Sequence, residues 1–160
     1  MGRRKNRWIL AKVNLRDNTN GWAKVSRILT REIVETEIRL LCDILFGSIG
    51  GSYVTDATNV ALVDDSDALV LIQTKRSFLS NVICVLNCID SLQKVGVTLE
   101  IVHVGGTLHQ CKKLLFTKLL DTLAQLQALS LGQSPVKQLH TERAINKISE
   151  VSKLKASTAL

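Results

Sequence analysis

The amino-acid sequence predicts an α+β fold, a four-stranded antiparallel sheet with two helices on one face and an extra C-terminal helix. Three observations lead there. Short β-rich runs and long stretches of helical period follow one another in the order strand, helix, strand, strand, helix, strand, helix. The chain is 46% hydrophobic but only 4% aromatic and has a single proline, Pro135, so its core is built from Leu, Val and Ile in regular elements. Its 160 residues suit one domain, placed at residues 1–131, with a basic, weakly helical tail at 132–160.

Trp8 to Val13 forms the first strand, short and apolar, after the basic leader Arg3-Arg4-Lys5-Asn6-Arg7. A loop at Asn18 to Gly21 leads into a long amphipathic helix from Trp22 to Phe46. Trp22, Val25, Leu29, Ile33, Leu40 and Ile44 share its core face, with Lys24, Arg31, Glu35 and Arg39 opposite. The glycine-rich run Gly47-Ser48-Ile49-Gly50-Gly51-Ser52 ends that helix. Tyr53 to Val63 is β-rich and stops at Asp64-Asp65-Ser66-Asp67, and the nearly all-apolar Ala68 to Thr74 completes a hairpin. A second helix spans Ser77 to Lys94, with Phe78, Val82, Val85, Ile89 and Leu92 aligned, and Gly96 breaks it. Leu99 to Val104 is the fourth strand, and a third helix opens at Thr107 and runs to about Leu129.

This order is the split βαβ arrangement of ferredoxin- and RRM-like domains. The third helix has apolar residues on more than one stripe: Leu108, Leu115, Leu119, Leu123 and Leu126, with Leu114, Leu120 and Leu129 beside them. It is expected to bury against the domain and against a partner protein as well.

Charge sets the class of partner. Lys and Arg outnumber Asp and Glu by 21 to 14, giving a net charge of +7, and a polyanion, nucleic acid before a membrane surface, is the expected partner. No long apolar run follows the leader, so neither a signal peptide nor a membrane span is expected, and the protein should be soluble and intracellular. Cys42, Cys84, Cys88 and Cys111 lack CxxC spacing and are expected to be reduced core residues. Cys84 and Cys88, one helical turn apart, have only a loose metal-ligand relation to His103 or His109. Asp64, Asp65 and Asp67 belong to turn chemistry, and there is no Ser-His-Asp, Cys-His or paired-carboxylate constellation. We therefore assign no catalytic residue, metal ligand or cofactor to the protein itself.

RRM-like sheets stack bases on aromatic side chains, but here only Trp8 lies on a strand. RNA contact is then expected from charge directed at the phosphate backbone: Arg3, Arg4, Lys5 and Arg7 of the leader, Lys75 and Arg76 after the third strand, and the junction Gly105-Gly106-Thr107 with Lys112 and Lys113 one turn on. At that junction the glycines allow positive φ or close approach, Thr107 is placed to cap the helix, and a helix N-terminus suits a phosphate. Plain chain reversal and solvated charge are the alternatives.

The leader Met1 to Leu10, the segment Thr74-Lys75-Arg76-Ser77-Phe78 and above all His103 to Lys113 resemble the Pop-five subunit family of ribonuclease P and RNase MRP, over about residues 1–120. The resemblance implies a split βαβ domain with extra helices covering the sheet. It implies a non-catalytic subunit of a ribonucleoprotein endoribonuclease, in which the RNA is the catalyst and holds the magnesium. The expected partners are the catalytic RNA, precursor tRNA and a TIM-barrel-like thirty-kilodalton subunit; the expected roles are 5′-leader removal from precursor tRNA and pre-rRNA processing, in nucleus and nucleolus. Arg3 to Arg7 and Gly105-Gly106-Thr107 would face RNA, and apolar sheet and helix surfaces would face protein. Two features depart from the family pattern: the tail from Val136 to Lys155 is basic where several relatives end in acidic runs, and the loop Asp17 to Gly21 is short. The rival readings are the paralogous fourteen-kilodalton subunit and a basic α+β interaction module that binds no RNA.

Overall fold

The computed structural model describes residues 5–16, 29–65, 67–129, 145–146 and 149–150. The chain runs β1 (Asn6–Leu15), α1 (Arg31–Asp56), β2 (Thr58–Asp64), β3 (Leu69–Lys75), a 3-10 turn (Arg76–Phe78), α2 (Leu79–Cys88), β4 (Ser91–Leu92), β5 (Val95–Gly105) and α3 (Leu108–Leu129). The strands form one antiparallel sheet in the order β2-β3-β1-β5-β4. Without β4 this is the split βαβ topology expected from the sequence.

Alternation along the central strands makes two cores, because successive side chains point to opposite faces. Ile9, Ala11 and Val13 of β1 and Val70 and Ile72 of β3 pack with Val34 and Ile38 of α1 and Val82, Val85 and Leu86 of α2. Trp8, Leu10, Leu69 and Leu71 point the other way, onto Leu108, Cys111, Leu115 and Leu119 of α3. The third helix therefore covers the face that the first two leave open. Leu115 and Leu119 are fully buried there, each contributing about 2 kcal/mol by transfer from water. Register shifts between Leu10 and Ala11 against β5, and between Val60 and Leu62 against β3, mark bulges that curl the sheet.

Several boundaries differ from those the periodicity predicts, each for a local reason. The sheet has five strands rather than four. The second helix stops at Cys88, and residues 91–96 make a small hairpin in which Gln93 and Lys94, at φ 47° and 68°, form a two-residue turn. Leu92 is buried as a strand residue, which mimics the helical period. The fourth predicted strand is β5, which begins at Val95 rather than Leu99.

Helix α1 shows the largest difference. Trp22 to Ile28 lie outside the described residues, and α1 begins at Arg31 after Thr30, whose hydroxyl accepts the Ile33 N–H at 3.4 Å. The glycine run does not end the helical segment. Gly47, at φ 72° and ψ 169°, a conformation open essentially to glycine alone, turns the chain and helix resumes to Asp56. The predicted strand from Tyr53 thus starts at Thr58. The second limb folds back on the first so tightly that a Cβ on Gly51 would lie 2.8 Å from the carbonyl carbon and oxygen of Cys42. Val34, Ile38 and Cys42 face the core, whereas Leu40 and Ile44, predicted to be inside, are 53% and 75% exposed. The predicted face ran one helix through Leu29 and Thr30, where the backbone is not helical, so its phase is lost.

All four cysteines are free. Cys42 and Cys111 are buried as expected, but Cys84 and Cys88 are exposed on the outer side of α2. Among the described residues no helix is long and apolar enough to cross a membrane.

Candidate nucleic-acid interface

Antiparallel pairing gathers three basic segments that are far apart in sequence. β1 begins where β3 ends, so Asn6 lies opposite Lys75 and Arg7 opposite Thr74, and the Arg76 backbone N–H donates to the Lys5 carbonyl at 2.9 Å. On its other side β1 pairs Trp8 with Gly105, which brings the end of β5 and the start of α3 to the same edge. Arg7 joins the parts. Its Nη1 donates to the Asn6 carbonyl at 3.2 Å and would stand 3.5 Å from a Cβ on Gly106.

Lys5 and Arg76 are exposed, Arg7 and Lys75 half-buried. Among the described residues none of these four is paired with a carboxylate. Like charges so grouped repel one another and draw in a polyanion, and guanidinium groups add forked hydrogen bonding to phosphate. Gly106, Thr107, His109 and Gln110 are exposed alongside, Lys113 is exposed and Lys112 half-buried in the next turn. His109 and Gln110 belong to this end of the sheet, although neither is among the residues expected from the sequence to face RNA. Arg3 and Arg4 lie outside the described residues.

The Gly-Gly junction works differently from the sequence expectation. Neither Gly105 nor Gly106 takes a positive φ; among the described glycines only Gly47 does. Gly105 is buried, and a Cβ there would meet Cys111 Sγ at 3.1 Å, His103 Nε2 at 3.2 Å and Gln110 Oε1 at 3.3 Å. Its role is to let α3 seat closely on β5, which is structural. Gly106 and Thr107 remain accessible to a ligand.

The rest of the edge is packed rather than reactive. Trp8, the one aromatic residue of the sheet, is 4% exposed beneath α3, so no base can stack on it in this conformation. The Cys111 thiol donates to the Trp8 carbonyl at 3.7 Å, and burial pushes its pKa up, opposed by a hydrogen bond from the Gly105 backbone. His103 is half-buried, and its shielded Nε2 has no hydrogen-bond partner among the described residues. Among those residues no three His, Cys, Asp or Glu side chains gather at metal-binding distance.

The Rpp14/Pop5 family model matches residues 7–116, from the start of β1 into α3. The chain belongs to the Rpp14/Pop5 family. No curated protein sequence matches it. A chain of the cryo-EM structure of yeast ribonuclease MRP is similar in fold, with a TM-score of 0.53 and 14% identity, covering 76% of this chain and 97% of that one. The family span takes in Arg7, Lys75, Arg76, Gly105, Gly106, Thr107, Lys112 and Lys113. Arg3, Arg4 and Lys5 precede it. In this Rpp14/Pop5 chain the described cationic edge is thus built on the family domain, with Lys5 just ahead of the match.

Proposed function

We propose that this protein is a non-catalytic subunit of ribonuclease P and RNase MRP that holds the catalytic RNA by its phosphate backbone. The observation that carries the reading is the Rpp14/Pop5 match over residues 7–116. The cationic edge supplies the physical means. Lys5, Arg7, Lys75 and Arg76 neutralise phosphates and release condensed counterions, while exposed Gly106 and Thr107 let an RNA strand approach the first turn of α3. With Trp8 buried, recognition follows the course of the backbone rather than the identity of bases. The bond-breaking chemistry and its magnesium then belong to the RNA, acting on precursor tRNA and pre-rRNA in the nucleus and nucleolus. A TIM-barrel-like thirty-kilodalton subunit is the protein partner in this reading.

The test is the salt dependence of binding to the catalytic RNA, followed by anisotropy. Replacing Lys5, Arg7, Lys75 and Arg76 together by Ala should lower the slope of log K against log salt by roughly 3, about 0.7 to 0.9 per phosphate contact. An unchanged slope would take RNA off this edge.

A further inference from the structure

Helix α1 carries the opposite charge to the rest of the molecule. It contains Glu32, Glu35, Glu37, Asp43 and Asp56 against Arg31 and Arg39, five acidic residues to two basic ones and a net −3, in a chain whose total is +7. One of the two cations is already committed, since Arg31 Nε meets Glu35 at 2.8 Å and its Nη2 donates to Asn59 Oδ1 at 2.7 Å. The same helix holds four of the large apolar side chains that water reaches most freely. Leu40, Ile44, Ile49 and Tyr53 are 53%, 75%, 75% and 64% exposed.

Spacing ties the two features together, because residues three and four apart adjoin on a helix. Leu40 stands between Glu37 and Asp43, three residues away on either side, with Ile44 on the following turn. On the second limb Tyr53 adjoins Ile49 and, three residues on, Asp56. Leu40 and Ile44 cannot turn inward, since the core side of the limb is filled by Val34, Ile38 and Cys42. Exposed apolar side chains set among carboxylates in this way mark an interaction site.

We propose that the outer face of α1 is a protein-docking surface, whose occupant is a partner protein presenting an apolar recess rimmed by lysine or arginine. Apolar contact supplies affinity, and the carboxylates select a basic rim. The same carboxylates disfavour RNA, whose phosphates would face a net negative helix. They disfavour a second copy of the chain too, since two such faces would oppose Glu37 and Asp43 to their own kind. The inference deepens the subunit reading and rests on it for the existence of a protein partner.

The experiment places a photo-crosslinking p-benzoylphenylalanine at Ile44 of the tagged full-length protein in its native cell, with Glu100, exposed on β5, as the control position. After irradiation the crosslinked peptide is sequenced by mass spectrometry and the co-purified RNA is measured in the same sample. The expected result is one partner protein, joined through apolar residues flanked by Lys or Arg, with a yield that falls roughly tenfold in a Glu37→Lys, Asp43→Lys background. Asp43 is exposed and Glu37 half-buried, and an unchanged thermal melt confirms that the variant folds. A crosslink to RNA, to a second copy or at only the Glu100 level overturns the proposal, as does a yield indifferent to charge reversal. The RNA reading separates the two claims: a basic partner without RNA contradicts the subunit reading alone, and RNA without the partner contradicts the docking surface alone.

Discussion

Burial alone divides the four thiols into two kinds. Cys42 lies under the second limb of α1, where burial raises its pKa above the ordinary 9.0, with the Thr55 hydrogen bond opposing and Asp43 adding to the rise. Cys111 is raised in the same direction, chiefly by burial. Brief iodoacetamide treatment of the native protein should therefore label Cys84 and Cys88, and label Cys42 and Cys111 only in denaturant, as peptide mass spectra would reveal. Native labelling of Cys111 would contradict the seating of α3. The raised pKa values carry a sign for stability. Well below pH 9.0 folded and unfolded thiols are both neutral and stability is intact; as pH rises through 9.0 the unfolded chain ionises first, so the urea midpoint should fall with further rise in pH. Replacing both buried cysteines by Ala should flatten that decline. The sequence showed which stretches these cysteines occupy but not their faces, because cysteine is apolar enough to resemble a core residue on either side of α2.

At the scale of elements, the back-folded α1 is the least readable feature and the most testable. A glycine run normally signals a helix end, and here Gly47 does break the helix; the fold-back depends on the contact between Gly51 and Cys42, which only three dimensions reveal. A Cβ at position 51 would overlap backbone, which cannot yield as a flexible side chain does. Gly51→Ala should cost about 3 kcal/mol in urea unfolding, against about 1 to 3 kcal/mol for Gly47→Ala from backbone strain. A neutral Gly51→Ala would show that the limbs do not pack as described. The β4 hairpin escaped notice for a related reason, since Gln93-Lys94 lacks the Asn-Gly signature of a tight turn. The central strands were legible because β1 and β3 alternate between two buried faces, and an apolar face without stacking aromatics already required a cover. That cover is α3.

At the scale of the whole molecule, charge gathers in two clusters among the described residues. Cations collect where β1 begins, β3 and β5 end and α3 starts, while α1 presents carboxylates around exposed apolar side chains. Each basic segment of the first surface was visible in the sequence as a separate motif. Their convergence was not, because strand register, rather than distance along the chain, places Lys5 beside Arg76 and Arg7 beside Gly106. The acidic face of α1 was hidden by the shifted helical phase, which put Leu40 and Ile44 inside. Such a division suits a subunit that meets RNA on one side and protein on another.

Membership of an RNA-based endoribonuclease is tested by purifying the tagged protein from its native cell at low salt. The RNA that accompanies it is identified, and precursor-tRNA 5′-leader cleavage is assayed before and after nuclease treatment. One structured RNA and a cleavage activity that nuclease abolishes are the expected result. Recovery of proteins without RNA, or cleavage that survives complete RNA removal, would contradict it.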